Sequence, residues 1–286
     1  MKKKIFAAVL ALLTLIMVLL AGSTQSFDNS HQINELYIFG DSLSDIGNVF
    51  KATNGVYPPS PPYFQGRYSN GPVWVEYLGS QLGLTNTKSS NFAYGGATTV
   101  SGSLNGVPGT LVQVYTYTKY HQKLNPNALY VIWAGANDYL FGADQPAASI
   151  ANLSNAIKSL SSAGAKKILV ANLPDLGKLP ATYNTFNSRA LSSLTNLHNL
   201  ELAKSINLFH QQSENKTQIF QLDVNSLYRE AMDKPEKFGL TNVTQGCISN
   251  LATCDNPNKF LFWDGIHPTT AAHRILAQAA LKTLSE

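Results

Sequence analysis

Leu36-Tyr37-Ile38-Phe39-Gly40-Asp41-Ser42-Leu43-Ser44-Asp45 carries an apolar run that breaks abruptly into a glycine, an acid and a serine. The run reads as a strand, and the break as a loop that presents one hydroxyl. Leu129 to Trp133, Ile168 to Ala171 and Ile219 to Leu222 are similar short runs, each stopped by Gly, Asn, Pro or Asp. Continuous apolar runs of this length suit strands buried on both faces.

Helical patterns fill the intervals. Ala147 to Ala163 places Ile150, Leu153, Ile157 and Leu160 at helical spacing, with Gly164 as the stop. Arg189 to Ser213 predicts a longer amphipathic helix with Leu194, Leu197, Leu200 or Leu202, and Leu208 on its buried side, and Thr269 to Leu284 predicts a closing helix. Strands alternating with helices imply an α/β fold: a three-layer sandwich with a central parallel sheet and helices on both faces. Sites in such sheets form beyond the carboxyl ends of the strands, which is where Ser42 and Asn137 fall.

The chain has 286 residues and a formal net charge of +4. Its start, Met1-Lys2-Lys3-Lys4 followed by an apolar run from Ile5 to Ala21, has the charged and apolar regions of a secretory signal. Small residues at Ala21, Gly22 and Ser23 suit cleavage, so the expected organisation is a signal peptide over 1–23 and a single domain over 24–286. An uncleaved signal anchor is the alternative, and no cysteine follows to carry a lipid. Without Lys2, Lys3 and Lys4 the balance is 18 basic to 17 acidic residues. A near-neutral mature chain offers no general nucleic-acid or polybasic membrane surface. A secreted or periplasmic location follows from the signal.

Cys247 and Cys254 lie close together in a Gly/Ser/Asn/Asp-rich segment. In an exported chain a disulfide is the expected reading, with free thiols or half of a metal site as alternatives. No nearby His or second Cys pair has metal-ligand spacing, so no metal is expected. This loop precedes His267 by few residues and is expected to border the site and limit motion around it.

Ser42 has Gly40 two residues before it but Ser44 two residues after, so it is not the G-x-S-x-G nucleophile elbow, which argues against the α/β-hydrolase fold. Gly-Asp-Ser alone is more often a turn or helix cap than a nucleophile. A serine needs a base and an oxyanion site, and the chain holds candidates for both. Asp264-Gly265-Ile266-His267-Pro268 puts a carboxylate three residues before an imidazole, where it can fix the tautomer and stabilise the imidazolium. An isolated D-x-x-H is more often a helix cap beside an exposed His. Asn137 in Gly135-Ala136-Asn137-Asp138, and the backbone N–H groups of Gly96 and Ser42, are candidate oxyanion donors; a tight turn at Gly95-Gly96 and an Asx turn at Asn137 are the plain alternatives. His31, His121, His198, His210 and His273 lack an acid turn and are assigned structural or surface roles.

Taken together, these blocks resemble the GDSL lipolytic enzymes, also called SGNH hydrolases, over nearly the whole mature chain. Gly40-Asp41-Ser42-Leu43, Asn91 to Ala97, Gly135 to Asp138 and Asp264 to Pro268 are similar to the four family blocks in identity and order. The resemblance implies a flavodoxin-like SGNH hydrolase fold with Ser42 as nucleophile, Ser42, Gly96 and Asn137 as oxyanion donors, Asp264 as orienter and His267 as base. Gly95 is the neighbouring alternative to Gly96. Gly66 to Trp74 is similar to a bacterial subgroup of secreted phospholipases, haemolysins and glycerophospholipid:cholesterol acyltransferases.

The expected reaction is acyl transfer through an acyl-Ser42 intermediate, with water giving hydrolysis and an alcohol such as cholesterol giving a new ester. The leading expectation is a secreted lysophospholipase or phospholipase A that acts on lipid and touches a membrane surface transiently. A carbohydrate acetyl esterase is the alternative enzyme, and a non-catalytic binding protein the alternative class. Tyr57 to Phe64, rich in proline, is expected to be a polyproline-like surface loop or an apolar lip for an acyl chain. Serine acyl transfer needs no metal or organic cofactor, and none is expected.

Overall fold

The computed structural model describes residues 33–84, 88–212, 217–249 and 252–286. The expected signal peptide over 1–23 and His31 lie outside them. Five parallel strands form the main sheet: β1 (Glu35–Gly40), β2 (Ser89–Asn91), β3 (Ala128–Trp133), β4 (Lys167–Ala171) and β5 (Gln218–Leu222), in the order β2-β1-β3-β4-β5. Four of these are the apolar runs of the sequence, extended by a residue or so. The fifth, β2, was not expected: Ser89-Ser90-Asn91 is a short polar edge strand with no apolar signal.

Along each strand alternate residues serve opposite faces. Leu36, Ile38, Leu129, Val131 and Trp133 pack on one side against α2 (Trp74–Gln81), α7 (Val224–Asp233) and α8 (Thr270–Thr283). Phe39, Tyr130, Ile132, Ile168 and Val170 pack on the other against α3 (Thr110–Tyr120), α5 (Ala147–Ser162) and α6 (Ser188–Gln212). The short helices α1 (Asn48–Ala52) and α4 (Ala136–Leu140) follow β1 and β3 at their carboxyl ends. Every residue of β3 is buried, so this strand is the centre of the three layers; truncating Ile132 to Ala is expected to cost about 2–5 kcal/mol.

The predicted helices fall where expected, but the buried face of α6 does not. Leu191, Thr195, His198, Leu202 and Ile206 face inward, Leu194 is only partly buried, and Leu197, Leu200 and Leu208 are exposed. Two polar residues occupy core positions because each finds a partner there. Thr195 Oγ1 donates to Leu191 O and accepts from Leu176 N, and His198 Nδ1 bonds the Tyr139 hydroxyl at 2.8 Å.

In the order β2-β1-β3-β4-β5 the chain turns outward in both directions between β1 and β3, leaving a crevice at their carboxyl ends. Gly40 ends β1 opposite Trp133, the last residue of β3. A Cβ on Gly40 would stand 2.3 Å from Trp133 O, so only glycine permits the approach. Cys247 and Cys254 form a disulfide beside β6 (Asn242–Gly246), which pairs in parallel with β7 (Phe260–Phe262) just before Asp264. Among the described residues, no helix is long and apolar enough to cross a membrane.

Candidate active site

Beyond Gly40 the backbone tightens: Ser44 N and Asp45 N both donate to Asp41 O, and Leu43 N donates to Asp41 Oδ1 at 3.0 Å. This turn lifts Ser42 off the sheet edge, still largely buried but lining a cavity. The loop between β7 and α8 brings His267 to it, with His267 Nε2 2.9 Å from Ser42 Oγ. On the other side of the ring, Nδ1 stands 2.7 Å from Asp264 Oδ2. A carboxylate only accepts, so Nδ1 carries the proton and Nε2 of the neutral ring accepts from the Ser42 hydroxyl.

Asp264 is locked by its own turn, its Oδ1 accepting Ile266 N at 2.8 Å and His267 N at 2.7 Å. Burial pushes this carboxyl up. The charge and ring N–H of His267, with the two backbone N–H groups, outweigh burial and hold it at about 2. Asp264 is therefore ionised throughout the working range and available to stabilise an imidazolium.

The oxyanion candidates converge on the same crevice. Asn137, in the first turn of α4, spends one Nδ2 hydrogen on Ala97 O at 2.9 Å, which leaves the second free to turn toward a ligand at Ser42. The Gly95 N–H is committed to Asp45 Oδ2 at 2.9 Å, so of the two glycines Gly96 is the one whose N–H can serve. Gly96 takes φ +80°, and the space where a Cβ would project is open.

Several residues that the sequence reading did not single out hold this geometry. Asp45 gathers the N–H groups of Gly47, Asn48 and Gly95; burial pushes its carboxyl up, and those donors oppose the rise. Asn91 Nδ2 donates to Ser44 O, and Asp138 accepts both the hydroxyl and the N–H of Thr99. The Gly66 to Trp74 segment braces the loop that carries His267: Ser69 Oγ donates to Pro268 O, and Asn70 Oδ1 accepts Thr270 N. The Tyr68 ring lies 5.1 Å from the His267 ring, and Tyr63 donates its phenol hydrogen to Asp264 Oδ2 at 2.7 Å. The proline-rich loop is thus tied into the site through Tyr63. Its proximity to the Asp264 turn could not be found from local pattern, because 201 residues separate the partners.

The remaining histidines stand apart. His198 and His273 are buried and fully structural, His273 Nδ1 accepting the Trp74 N–H at 3.2 Å, whereas His121 and His210 lie toward solvent. Burial holds His198 down at about 4 and His273 at about 3, so both stay neutral. Asp41 is the opposite case: burial raises its carboxyl to about 7, against the Leu43 N–H and the His267 charge.

Beside Ser42 opens a small apolar pocket lined by Leu43, Leu140, Leu176, Leu179, Tyr228 and Ile266, with about 30 Å³ of space open to water-sized atoms. An activated hydroxyl, converging donors and an apolar wall suit nucleophilic attack on an ester carbonyl.

A family model described as GDSL-like Lipase/Acylhydrolase matches residues 36–280. The chain is 31% identical to the phosphatidylcholine-sterol acyltransferase of Aeromonas hydrophila, over 97% of this chain and 96% of that protein. It is 30% identical to the thermolabile hemolysin of Vibrio parahaemolyticus, over 88% of this chain and 64% of the hemolysin. The fold is shared with Est24, a carbohydrate acetylesterase from Sinorhizobium meliloti, at 17% identity and a TM-score of 0.51, covering 87% of this chain and 96% of Est24. A family match that runs from β1 through α8, joined to a relative matched almost end to end, places this chain in the GDSL-like lipase/acylhydrolase family.

Proposed function

We propose that this acyl hydrolase is exported through its N-terminal signal and, as a single domain over 24–286, releases fatty acid from lysophospholipids or phospholipids. The hydrogen-bonded series Ser42–His267–Asp264 carries the proposal. His267 Nε2 takes the Ser42 proton as Oγ attacks the ester carbonyl, and the Ser42 and Gly96 N–H groups and Asn137 Nδ2 bind the oxyanion. His267 then gives that proton to the leaving alcohol, and acyl-Ser42 remains. Water activated by His267 completes hydrolysis, and an alcohol such as cholesterol in its place gives a new ester.

The lipid reading draws support from the loops at the carboxyl edge. The stretches 52–66, 92–109 and 179–188 contain no Asp, Glu, Lys or Arg. Tyr57, Phe141 and Phe186 are exposed on the connections that follow β1, β3 and β4. Exposed aromatics at the carboxyl edge, two of them (Tyr57 and Phe186) on uncharged stretches, suit transient contact with a lipid surface. The named activity of the Aeromonas relative, on phosphatidylcholine and sterol, agrees with this substrate class.

A second reading, a short-chain or carbohydrate acetyl esterase, is favoured by the pocket itself, since about 30 Å³ of accessible space takes only the first atoms of an acyl group. Fatty-acid release from lysophosphatidylcholine, measured beside a series of soluble esters of increasing acyl length, decides between them. Strong lysolipid turnover abolished by Ser42→Ala supports the lipolytic reading. Turnover confined to acetyl esters moves the assignment to the second, and undiminished turnover in Ser42→Ala overturns both.

A further inference from the structure

Asp264 Oδ2 receives two hydrogen bonds, one from His267 Nδ1 and one from the Tyr63 hydroxyl, each at 2.7 Å. Among the described residues no other group donates to that oxygen. The second bond is not needed to place the carboxylate, because Oδ1 is already held by two backbone N–H groups of its own turn. Its effect is therefore electrostatic. A neutral O–H donor draws charge from the oxygen that faces the imidazole, and a carboxylate so shared stabilises an imidazolium less than one that is not.

We infer that Tyr63 is a positioning residue of this site that acts through Asp264, setting how strongly the carboxylate stabilises the protonated form of His267. This rests on the proposed roles of Ser42 and His267. Tyr63 can play the part at any working pH. Burial first, and then the adjacent Asp264 charge and hydrogen bond, push its phenol well above the usual range, so it remains a donor. Its ring is placed independently of the hydroxyl, 6.4 Å from the Tyr68 ring in an edge arrangement, and Tyr68 in turn covers His267. Further ionisable groups act through space: Asp41 from the Ser42 turn and His273 from α8 on His267, and Tyr57 and Tyr68 on Tyr63.

Tyr63→Phe removes one oxygen and keeps the ring. With the hydroxyl gone, Asp264 attracts the imidazolium more strongly, and the acid limb of the kcat/KM profile on a soluble acetyl ester is expected to move up by about half a pH unit. Burial brings Asp41 to about 7, so an acid limb alone does not identify the group responsible, and the His267 ring resonances of Ser42→Ala and Ser42→Ala/Tyr63→Phe are followed by NMR in parallel. An upward shift of the His267 titration with an unchanged thermal midpoint is the expected result. Superimposed titrations, or a shift to lower pH, overturn the inference and leave Tyr63 a packing residue. Undiminished turnover in Ser42→Ala would instead remove the underlying reading, so the two failures are told apart.

Discussion

Asp45 Oδ2 accepts the Gly95 N–H at 2.9 Å and so joins the loop that carries Ser42 to the loop that carries Gly96. The same carboxylate collects the N–H groups of Gly47 and Asn48 at 2.7 and 2.6 Å. One buried acid thus fixes the register of the glycine pair against the nucleophile turn. Asp45→Asn leaves one acceptor oxygen where several donors converge and aims an amide hydrogen at one of them. The expected cost is about 1–3 kcal/mol of stability and roughly tenfold to hundredfold in kcat, read from denaturant midpoints and steady-state rates. Full turnover in this variant would mean that Gly96 is placed by other means.

The contrast between Ser42 and Tyr63 shows what local pattern can carry. The strand end at Gly40 and the Asp264–His267 spacing are both local, so each half of the Ser42–His267 pair could be proposed although 225 residues separate them. Tyr63 has no local signature. Its role exists only because a proline-rich loop folds back onto the Asp264 turn. The face of α6 was misjudged for a related reason: hydropathy favours Leu197 and Leu208, but the core accepts Thr195, whose hydroxyl is matched, and His198, whose Nδ1 bonds the Tyr139 hydroxyl. Strand β2 escaped because a polar edge strand owes its conformation to β1 rather than to its own residues.

Buried groups act in opposite senses on the response of stability to acid. His198 and His273 sit at about 4 and 3 in the folded chain, below the ordinary 6.5, so the unfolded chain takes up protons first as pH falls and stability is lost from about 6.5 downward. Asp41, at about 7 against an ordinary 3.8, works the other way: the folded chain holds its proton longer, so this group adds stability as pH falls from about 7 to 4. Asp45 and Asp138, whose carboxyls burial also raises, act in the same sense as Asp41, so the two sets of groups oppose each other between pH 6.5 and 4. Relative to the parent chain, denaturant midpoints of Asp41→Asn should fall more steeply as pH is lowered through this window, and those of His198→Gln less steeply. Below pH 4, Asp264 adds a further loss as its carboxyl, held at about 2, protonates. The opposite ordering of the two variants would contradict this assignment of charge.

The Cys247–Cys254 bridge closes a short loop, with a sequence separation of 7, next to a segment already stitched to the strand before Asp264. Cys247 N donates to Phe262 O at 3.0 Å and Ile248 N to Trp263 O at 2.7 Å. Those bonds keep the fold when the bridge is opened, so Cys247→Ser/Cys254→Ser is expected to lose about 2 kcal/mol without unfolding. A looser strand end lets the Asp264 turn move, and kcat should fall in the folded, reduced protein. Unchanged kcat after complete reduction, verified by thiol titration, would show that the base is placed without help from this loop.

Asn137 offers the sharpest separation of binding from chemistry. Ala97 O holds one of its amide hydrogens at 2.9 Å, so the side chain is already oriented, and in the proposed oxyanion role its second hydrogen would meet charge only as the tetrahedral intermediate forms. An interaction made mainly in the transition state lowers kcat and leaves KM almost unchanged when removed. Asn137→Ala is therefore expected to reduce kcat by about 10²-fold to 10³-fold. Asn137→Asp, nearly the same shape, replaces the donor with a charge that repels the oxyanion and should be at least as damaging. If instead KM rises and kcat is retained, Asn137 contacts the ground state and the oxyanion is stabilised by the backbone N–H groups of Ser42 and Gly96.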